Sequence, residues 1–406
     1  MPSPFPLQPR PEIDSLMSSQ IREVANSGIG RSDILPFWFG EPDQVTPEFI
    51  RAAAVRALTE GATFYTSNLG LAELRETIAR YISDLHGSVD VARIAVTGSG
   101  MSALMLIAQA LVSPGDRVVA ITPVWPNAVE APKIMGAQVV RVPLQCEVGV
   151  WSLDIDRLLD AITPQTRAVI VNSPNNPTGW VMRSEDQIAL LEHCRKRGAW
   201  IVADDVYERL IFADARRCAP SFLDVADEQD RLLSANSFSK AWMMTGWRLG
   251  WLVSPRSREG NTLLGAFGKL IEYNTSCAPG FVQEAAIEAI RHGEPSIERL
   301  VGRVRIARDY LCERLQNMPG IRVAPPQGAM YVFFRLEAEQ TNTVTLAKRL
   351  VAEAALGLAP GSAFGPEGEG YMRWCVASSI ERLEEGANRL ERYMQTANNP
   401  GIVFAG

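Results

Sequence analysis

Histidine is scarce in this chain, with three residues among 406, and none stands in a setting that favours catalysis. His86 precedes a glycine, His193 lies in a helical pattern, and His292 stands before Gly-Glu-Pro. A Ser-His-Asp triad or a histidine-held metal has little to work with, so no metal is expected and Lys, Asp, Tyr and Arg must carry any chemistry. Cysteine is sparse as well. The six residues Cys146, Cys194, Cys218, Cys277, Cys312 and Cys375 form no Cys-x-x-Cys pair. Neither a disulfide framework nor a thiolate zinc site is signalled, and reduced thiols are expected. No apolar run reaches the length of a membrane span, and the proline-rich start, residues 1–11, lacks the apolar core of a signal peptide. A cytoplasmic protein without a membrane partner is therefore expected. The net charge of −6 gives no electrostatic reason to expect nucleic acid or an anionic membrane. There is no internal repeat, and no low-complexity segment beyond the proline-rich start, which should run extended.

What the chain does have is length and apolar content. Its 406 residues, 47% apolar and 21% charged, can bury a large core and suggest two domains, or a large one with a smaller satellite. The most informative stretch is Ser237-Phe-Ser-Lys-Ala-Trp-Met-Met-Thr-Gly-Trp-Arg-Leu-Gly250, which sets Lys240 and Arg248 among small, aromatic and apolar residues. An ammonium in an apolar pocket has a depressed pKa, which frees the amine to attack a carbonyl. A lysine snorkelling at the surface is the ordinary alternative.

Taken in order, helical spacing is expected over residues 13–27, 47–60 and 72–85, with Tyr65 on the loop between the last two. The aromatic segment Leu35-Pro-Phe-Trp-Phe-Gly40-Glu-Pro-Asp closes on a turn and could contact a ligand or simply pack. Arg93-Ile-Ala-Val-Thr-Gly98-Ser-Gly100-Met-Ser-Ala103 is a strand running into glycines and a helix, and matches the dinucleotide fingerprint Gly-x-Gly-x-x-Ala. The next strand, however, ends in Thr122-Pro-Val-Trp125 without an acid to hold a ribose. The helix start should therefore bind the phosphate of a smaller cofactor. Apolar strands at 117–122, 138–142, 168–172, 200–204, 231–235 and 249–253, with helical segments between several of them, predict a mostly parallel sheet covered on both faces. Ligand groups then belong at strand ends. Asn172-Ser-Pro-Asn-Asn-Pro-Thr-Gly179 and Asp204-Asp-Val-Tyr207 lie there, although turn chemistry could explain the first and a helix cap the second. Past Gly260 the pattern is helical through 290 and again over 296–315. Strands at 321–324, 329–336 and 370–377 follow, with helices at 343–356 and after Ser379. Arg373 sits inside the last strand pattern and, if buried, needs a protein carboxylate or an anionic ligand.

These motifs, in their order and approximate spacing, resemble the fold type I pyridoxal-phosphate enzymes, specifically the class I/II aminotransferases of the aspartate aminotransferase family. The resemblance spans Gly40-Glu-Pro-Asp to Arg373. It implies an α/β fold with a large domain, residues 46–300, built on a mostly parallel, seven-stranded-type sheet flanked by helices. A smaller α+β domain would combine the N-terminal arm, 1–45, with the C-terminal segment, 301–406. Carried over residue by residue, it makes Lys240 the amine that joins pyridoxal phosphate and then moves the substrate proton. Asp204 would pair with the ring nitrogen, Tyr207 and Asn176 with the phenolate oxygen, and Trp125 would stack on the ring. Ser99, Gly100, Met101, Ser237 and Arg248 would bind the phosphate, with Tyr65 reaching it from the second subunit of a homodimer with shared active sites. Arg373, assisted by the Gly40 backbone, would grip the α-carboxylate, and Asn176 and Trp125 would also border the substrate.

One departure bears on substrate. Many prokaryotic relatives that accept dicarboxylates have a lysine where Met101 stands, and other aspartate users place an arginine near Tyr273 and Asn274; neither cation is here. The neighbourhoods of Trp38, Phe39, Trp125 and Tyr331 suggest an apolar pocket, with plain core packing as the alternative for each, so a neutral or aromatic L-amino acid is expected to donate its amino group to a 2-oxo acid by a ping-pong route. A carbon–sulfur lyase or a γ-eliminating cyclase would share nearly every residue named. A cofactor-binding DNA regulator would need an additional N-terminal domain, and only about forty residues precede the first motif.

Overall fold

A computed structural model of the chain describes residues 8–147, 149–213, 216–256, 263–337 and 342–398. Seven strands form the main sheet: β1 (Ile94–Thr97), β2 (Arg117–Thr122), β3 (Gln138–Pro143), β4 (Thr166–Asn172), β5 (Trp200–Asp204), β6 (Leu232–Ser237) and β7 (Gly250–Val253). Their order is β1-β7-β6-β5-β4-β2-β3. All the pairs are parallel except those of β7, which runs antiparallel to both β1 and β6. The strands read as apolar runs because both faces are covered. Alternate residues point to opposite faces. Val118, Ala120, Ile170, Val202 and Leu252 pack with residues of the helices Gly100–Leu111 and Leu263–Glu272. Val119, Ile121, Val171, Ile201 and Trp251 belong to the core on the other side, which continues into the rest of the molecule.

The second sheet is antiparallel and comprises β8 (Ile321–Val323), β9 (Tyr331–Leu336), β10 (Ala359–Pro360) and β11 (Tyr371–Cys375), in the order β8-β9-β11-β10. The N-terminal segment joins it. Leu35–Pro36 pairs in parallel with Leu356–Gly357, and Phe37 bonds to Gly357 on one side and Cys375 on the other. Residues distant in sequence are thus tied together just before Gly40.

Two helices differ from expectation. The run over 13–27 is broken into Pro11–Asp14 and Gln20–Asn26, because the Ser19 hydroxyl accepts the amide of Arg22 and starts a new helix there. The run up to 290 is likewise split, into Leu263–Glu272 and Gly280–His292. Ser276 takes a left-handed φ of 60°, and Pro279 leads into the next helix. The start of the proline-rich stretch, through residue 7, and Gly260 lie outside the described residues.

Strand register places the candidate residues side by side. Asn172 is opposite Asp204, Asp204 opposite Ala235, Ser237 opposite Gly250, and Gly250 opposite Thr97. The carboxyl ends of six strands and the start of β7 therefore share one edge of the sheet, where ligands bind in open α/β folds.

Candidate active site

At that edge lies a cavity of about 200 Å³ lined by Gly40, Gly100, Met101, Leu104, Trp125, Asn172, Asn176, Asp204, Val206, Tyr207, Ser237, Ser239, Lys240, Arg248, Tyr331 and Arg373. The main sheet supplies the floor, while Gly40, Tyr331 and Arg373 come from the N-terminal segment and the second sheet. A larger cavity, about 480 Å³, is lined elsewhere by Met182, Phe212, Pro326 and neighbours. It contains no lysine, tyrosine, histidine or cysteine, and two of its arginines already face Asp186 and Asp309. Chemistry rather than size picks out the smaller one.

Lys240 donates from Nζ to the Gly40 carbonyl and lies 5.7 Å from the centre of the Tyr207 ring. Its ammonium touches the cavity but is otherwise enclosed by protein. That desolvation lowers its pKa to about 8, assisted by the charges of Arg373 and Arg248 and opposed by Cys375 and Glu41. Asp204 is buried at the end of β5, and loss of water raises its carboxyl to about 6, against the pull of the Val206 amide and Lys240. Asn172 ties the floor together. Its amide donates to the Asp204 carbonyl (3.2 Å), and its side-chain oxygen accepts from the Asn176 backbone (2.8 Å).

Arg373 is 1% exposed. Its guanidinium donates to the Asn176 side-chain oxygen (3.1 Å) and to the Trp38 carbonyl, and lies 4.4 Å from the Tyr331 ring centre and 4.9 Å from that of Phe364. Its Nε has no partner, and no carboxylate pairs with it among the described residues. A buried cation in this state calls for an anion from outside the chain.

Residues expected at a phosphate lie together. Gly100 and Met101, which start the helix Gly100–Leu111, line the cavity with Ser237 and Arg248. Gly250 makes the close approach possible, since a Cβ there would lie 2.5 Å from the Gly100 nitrogen and 2.6 Å from the Asn236 carbonyl. Arg248 holds a left-handed φ of 58° and is anchored by a bond to the Thr245 carbonyl (2.7 Å).

Two expected site residues do not line the cavity. Ser99 is buried and its hydroxyl caps the helix, accepting the Ser102 amide at 2.9 Å. Tyr65 is 86% exposed. Of the aromatic residues expected near the substrate, Trp125 and Tyr331 line it and Trp38 and Phe39 do not; conversely, Asn172, Ser239, Leu104 and Val206 line it. Ser239 and Asn172 lie within the motifs already singled out, and strand-end position was the signal available for them. Leu104 falls one helical turn after Gly100, whereas Val206 offered no signal beyond its place between Asp204 and Tyr207.

Residues 32–390 match the model of the family described as aminotransferase class I and II. The chain is 34% identical to an aspartate aminotransferase of Pyrococcus horikoshii, over 93% of this chain and 95% of that one. It is 32% identical to aromatic-amino-acid aminotransferase 2 of Thermococcus litoralis, over 94% and 97%. Among solved structures, the aspartate aminotransferase of Thermotoga maritima superimposes with a TM-score of 0.86 at 33% identity, covering 95% of this chain and 99% of that one. The chain belongs to the class I and II aminotransferases. These enzymes use pyridoxal phosphate, and the residues present suit it: a helix start and an arginine for its phosphate, a carboxylate for its ring nitrogen, and a lysine of lowered pKa for its aldehyde.

Next to Asp204 and Tyr207 begins a charge cluster that no motif announced. Asp205 and Glu208 follow Asp204 and Tyr207 in sequence, and His86 reaches Glu208 through Nε2 (3.2 Å) and Asp224 through Nδ1 (2.8 Å) with its side chain 1% exposed. Burial alone would lower the imidazole pKa, but the hydrogen bonds and charges of the two carboxylates outweigh it and raise the value to about 11. Because the folded value lies above the unfolded 6.5, this stabilisation is complete below pH 6.5 and is lost as pH rises towards 11. His86→Ala should cost about 2–4 kcal/mol near pH 6.5, by analogy with breaking a buried pair. The difference in Tm from wild type should narrow steadily up to pH 10. A difference independent of pH over that range would show that the imidazole contributes by packing alone.

Proposed function

We propose that this aminotransferase takes its amino group from a neutral or aromatic L-amino acid and passes it to a 2-oxo acid. The observation that carries the reading is Arg373, a buried guanidinium without a carboxylate, facing the same cavity as the lysine of lowered pKa. Its fork binds the substrate α-carboxylate with two parallel hydrogen bonds, and Trp38 and Asn176 keep it oriented. Bound pyridoxal phosphate supplies an aldehyde that condenses with amines and a ring that accepts electrons from the substrate Cα. Gly100, Met101, Ser237 and Arg248 hold the phosphate, Trp125 covers the ring face, and Tyr207 and Asn176 bond the phenolate oxygen. Asp204 keeps the ring nitrogen protonated. Lys240 Nζ, whose pKa of about 8 lets it be free of its proton near neutral pH, would take the proton from the substrate Cα and deliver it to the carbon that had carried the aldehyde.

Substrate preference follows from what borders Met101. Besides Lys240, Arg248 and Arg373, no lysine or arginine lines the cavity among the described residues. Met101 itself is engaged by the Asn127 amide, which donates to its sulfur at 3.2 Å. A distal carboxylate here would be an unpaired charge in a desolvated site, whereas a thioether favours an apolar side chain. Leucine-, methionine- or phenylalanine-like donors should therefore exceed aspartate in kcat/KM. Met101→Lys should move the preference towards aspartate by about 1–2 kcal/mol, the worth of one charge-assisted hydrogen bond. Side-by-side kcat/KM values for aspartate and a neutral donor test this, and wild type preferring aspartate would overturn it. The relatives are named for aspartate as well as aromatic substrates, so the measurement discriminates.

The active form in this reading is a cytoplasmic homodimer. Phe64, Tyr65 and Tyr273 stand 84, 86 and 91% exposed, bare aromatic surface of the kind that a second copy would cover. Tyr65 then reaches the partner's phosphate site. Mixing inactive Tyr65 and Lys240 variants should restore part of the activity, because one hybrid site is intact. No recovery despite demonstrated subunit exchange would make each chain self-sufficient. The six cysteines are all free thiols, in keeping with a reducing compartment, and among the described residues no helix is long and apolar enough to cross a membrane.

A further inference from the structure

Tyr331 joins three parts of the site. It is buried, 1% exposed, at the start of β9, and its hydroxyl lies 2.6 Å from that of Tyr207, 124 positions earlier in the chain. Its ring lies under the Arg373 guanidinium, 4.4 Å from centre to cation. The backbone at Gly40 leaves room for the hydroxyl, since a Cβ there would fall 1.9 Å from it. Gly40 is also the residue whose carbonyl accepts from Lys240.

We infer that Tyr331 is a positioning residue for Tyr207, donating its proton to the Tyr207 oxygen and so directing the Tyr207 O–H towards the cofactor's phenolate oxygen. The inference rests on the proposed aminotransferase chemistry and adds to it a residue that acts through Tyr207. Two hydroxyls 2.6 Å apart share one hydrogen bond, so the question is which one donates. The proposed role of Tyr207 decides it: its single proton goes to the phenolate oxygen, so towards Tyr331 its oxygen can only accept. Burial raises the pKa of both phenols, so both stay protonated and able to donate. A hydroxyl that accepts a hydrogen bond is polarised and donates its own more strongly. The ring of Tyr331 has a separate task, supporting Arg373 from below through the cation–π contact.

The two roles separate by substitution. Tyr331→Phe keeps the ring and removes the donor. In the holoenzyme it should raise the midpoint of the pH titration of the visible absorption band by about half a unit, because the phenolate loses part of its hydrogen-bond support. It should lower kcat several-fold and leave KM for the amino acid within about twofold, since Arg373 keeps its support. Tyr331→Leu should raise KM as well. In a Tyr207→Phe background, adding Tyr331→Phe should not move the midpoint further, because the hydroxyl it acts through is gone. Gly40→Ala offers a second approach that leaves Tyr331 in place: the added methyl must displace the hydroxyl, so the midpoint should rise in the same direction. An unmoved midpoint in Tyr331→Phe, or an equal shift with and without Tyr207, would overturn the inference. Absence of amino transfer by the wild type would instead overturn the underlying function, and the two failures are read from different proteins.

Discussion

Lys240→Ala is expected to lower turnover by about four orders of magnitude or more, the effect of removing a group that serves both as nucleophile and as general base. Lys240 is the lysine that lines the cavity, and burial has lowered its pKa to about 8. The proposed phosphate contacts do not depend on it, because Gly100, Ser237 and Arg248 are placed by β1, β6, β7 and the turn at Thr245. The variant should therefore still bind pyridoxal phosphate, as read by equilibrium dialysis, while single-turnover amino transfer disappears. Lys240→Arg should be nearly as inactive, since it keeps a positive charge but cannot give up its proton near neutral pH. If either variant turned over at close to the wild-type rate, the base would have to be another group.

Arg373→Lys is expected to reduce kcat/KM by a factor corresponding to about 2–5 kcal/mol, the range for disrupting a desolvated charge pair. A lysine keeps the charge but loses the planar fork. It also gives up the geometry by which Arg373 bonds the Asn176 side chain and the Trp38 carbonyl at the same time. Cofactor affinity should be unaffected. Inhibition by a simple monocarboxylate should weaken in parallel with kcat/KM, because both report the same contact. Normal activity in Arg373→Lys would mean that the α-carboxylate binds elsewhere.

The readable parts of this protein were those whose physics is local. Strands buried on both faces require uninterrupted apolar runs, and β2 and β5 span the residues their pattern implies. Turns require particular residues, so Asn172 to Gly179 and the segment from Gly98 stood out as loops at strand ends. Helix interruptions were less legible. The break after Asp14 depends on a single serine cap, and the one after Glu272 on a left-handed serine before a proline. Helical periodicity continues through both, because it measures only which residues are apolar. For the same reason the antiparallel direction of β7 was invisible: an apolar run carries no arrow.

The candidate site divides along the same line. Residue types and their spacing by themselves determined the chemistry available: a lysine in apolar company, a carboxylate at a strand end, a glycine-rich helix start, and an arginine in an apolar strand. Only the tertiary structure decided which of these meet. It spends the Ser99 hydroxyl on a helix cap, leaves Arg373 without a carboxylate, buries His86 between Glu208 and Asp224, and sets Tyr331 against Tyr207. Each of those outcomes is a contact or a missing contact between segments distant in the chain, apart from the cap, where two local hydrogen-bonding roles compete for one hydroxyl. Charge pairing and desolvation depend on distance in space, and sequence separation does not specify it until the sheets have packed.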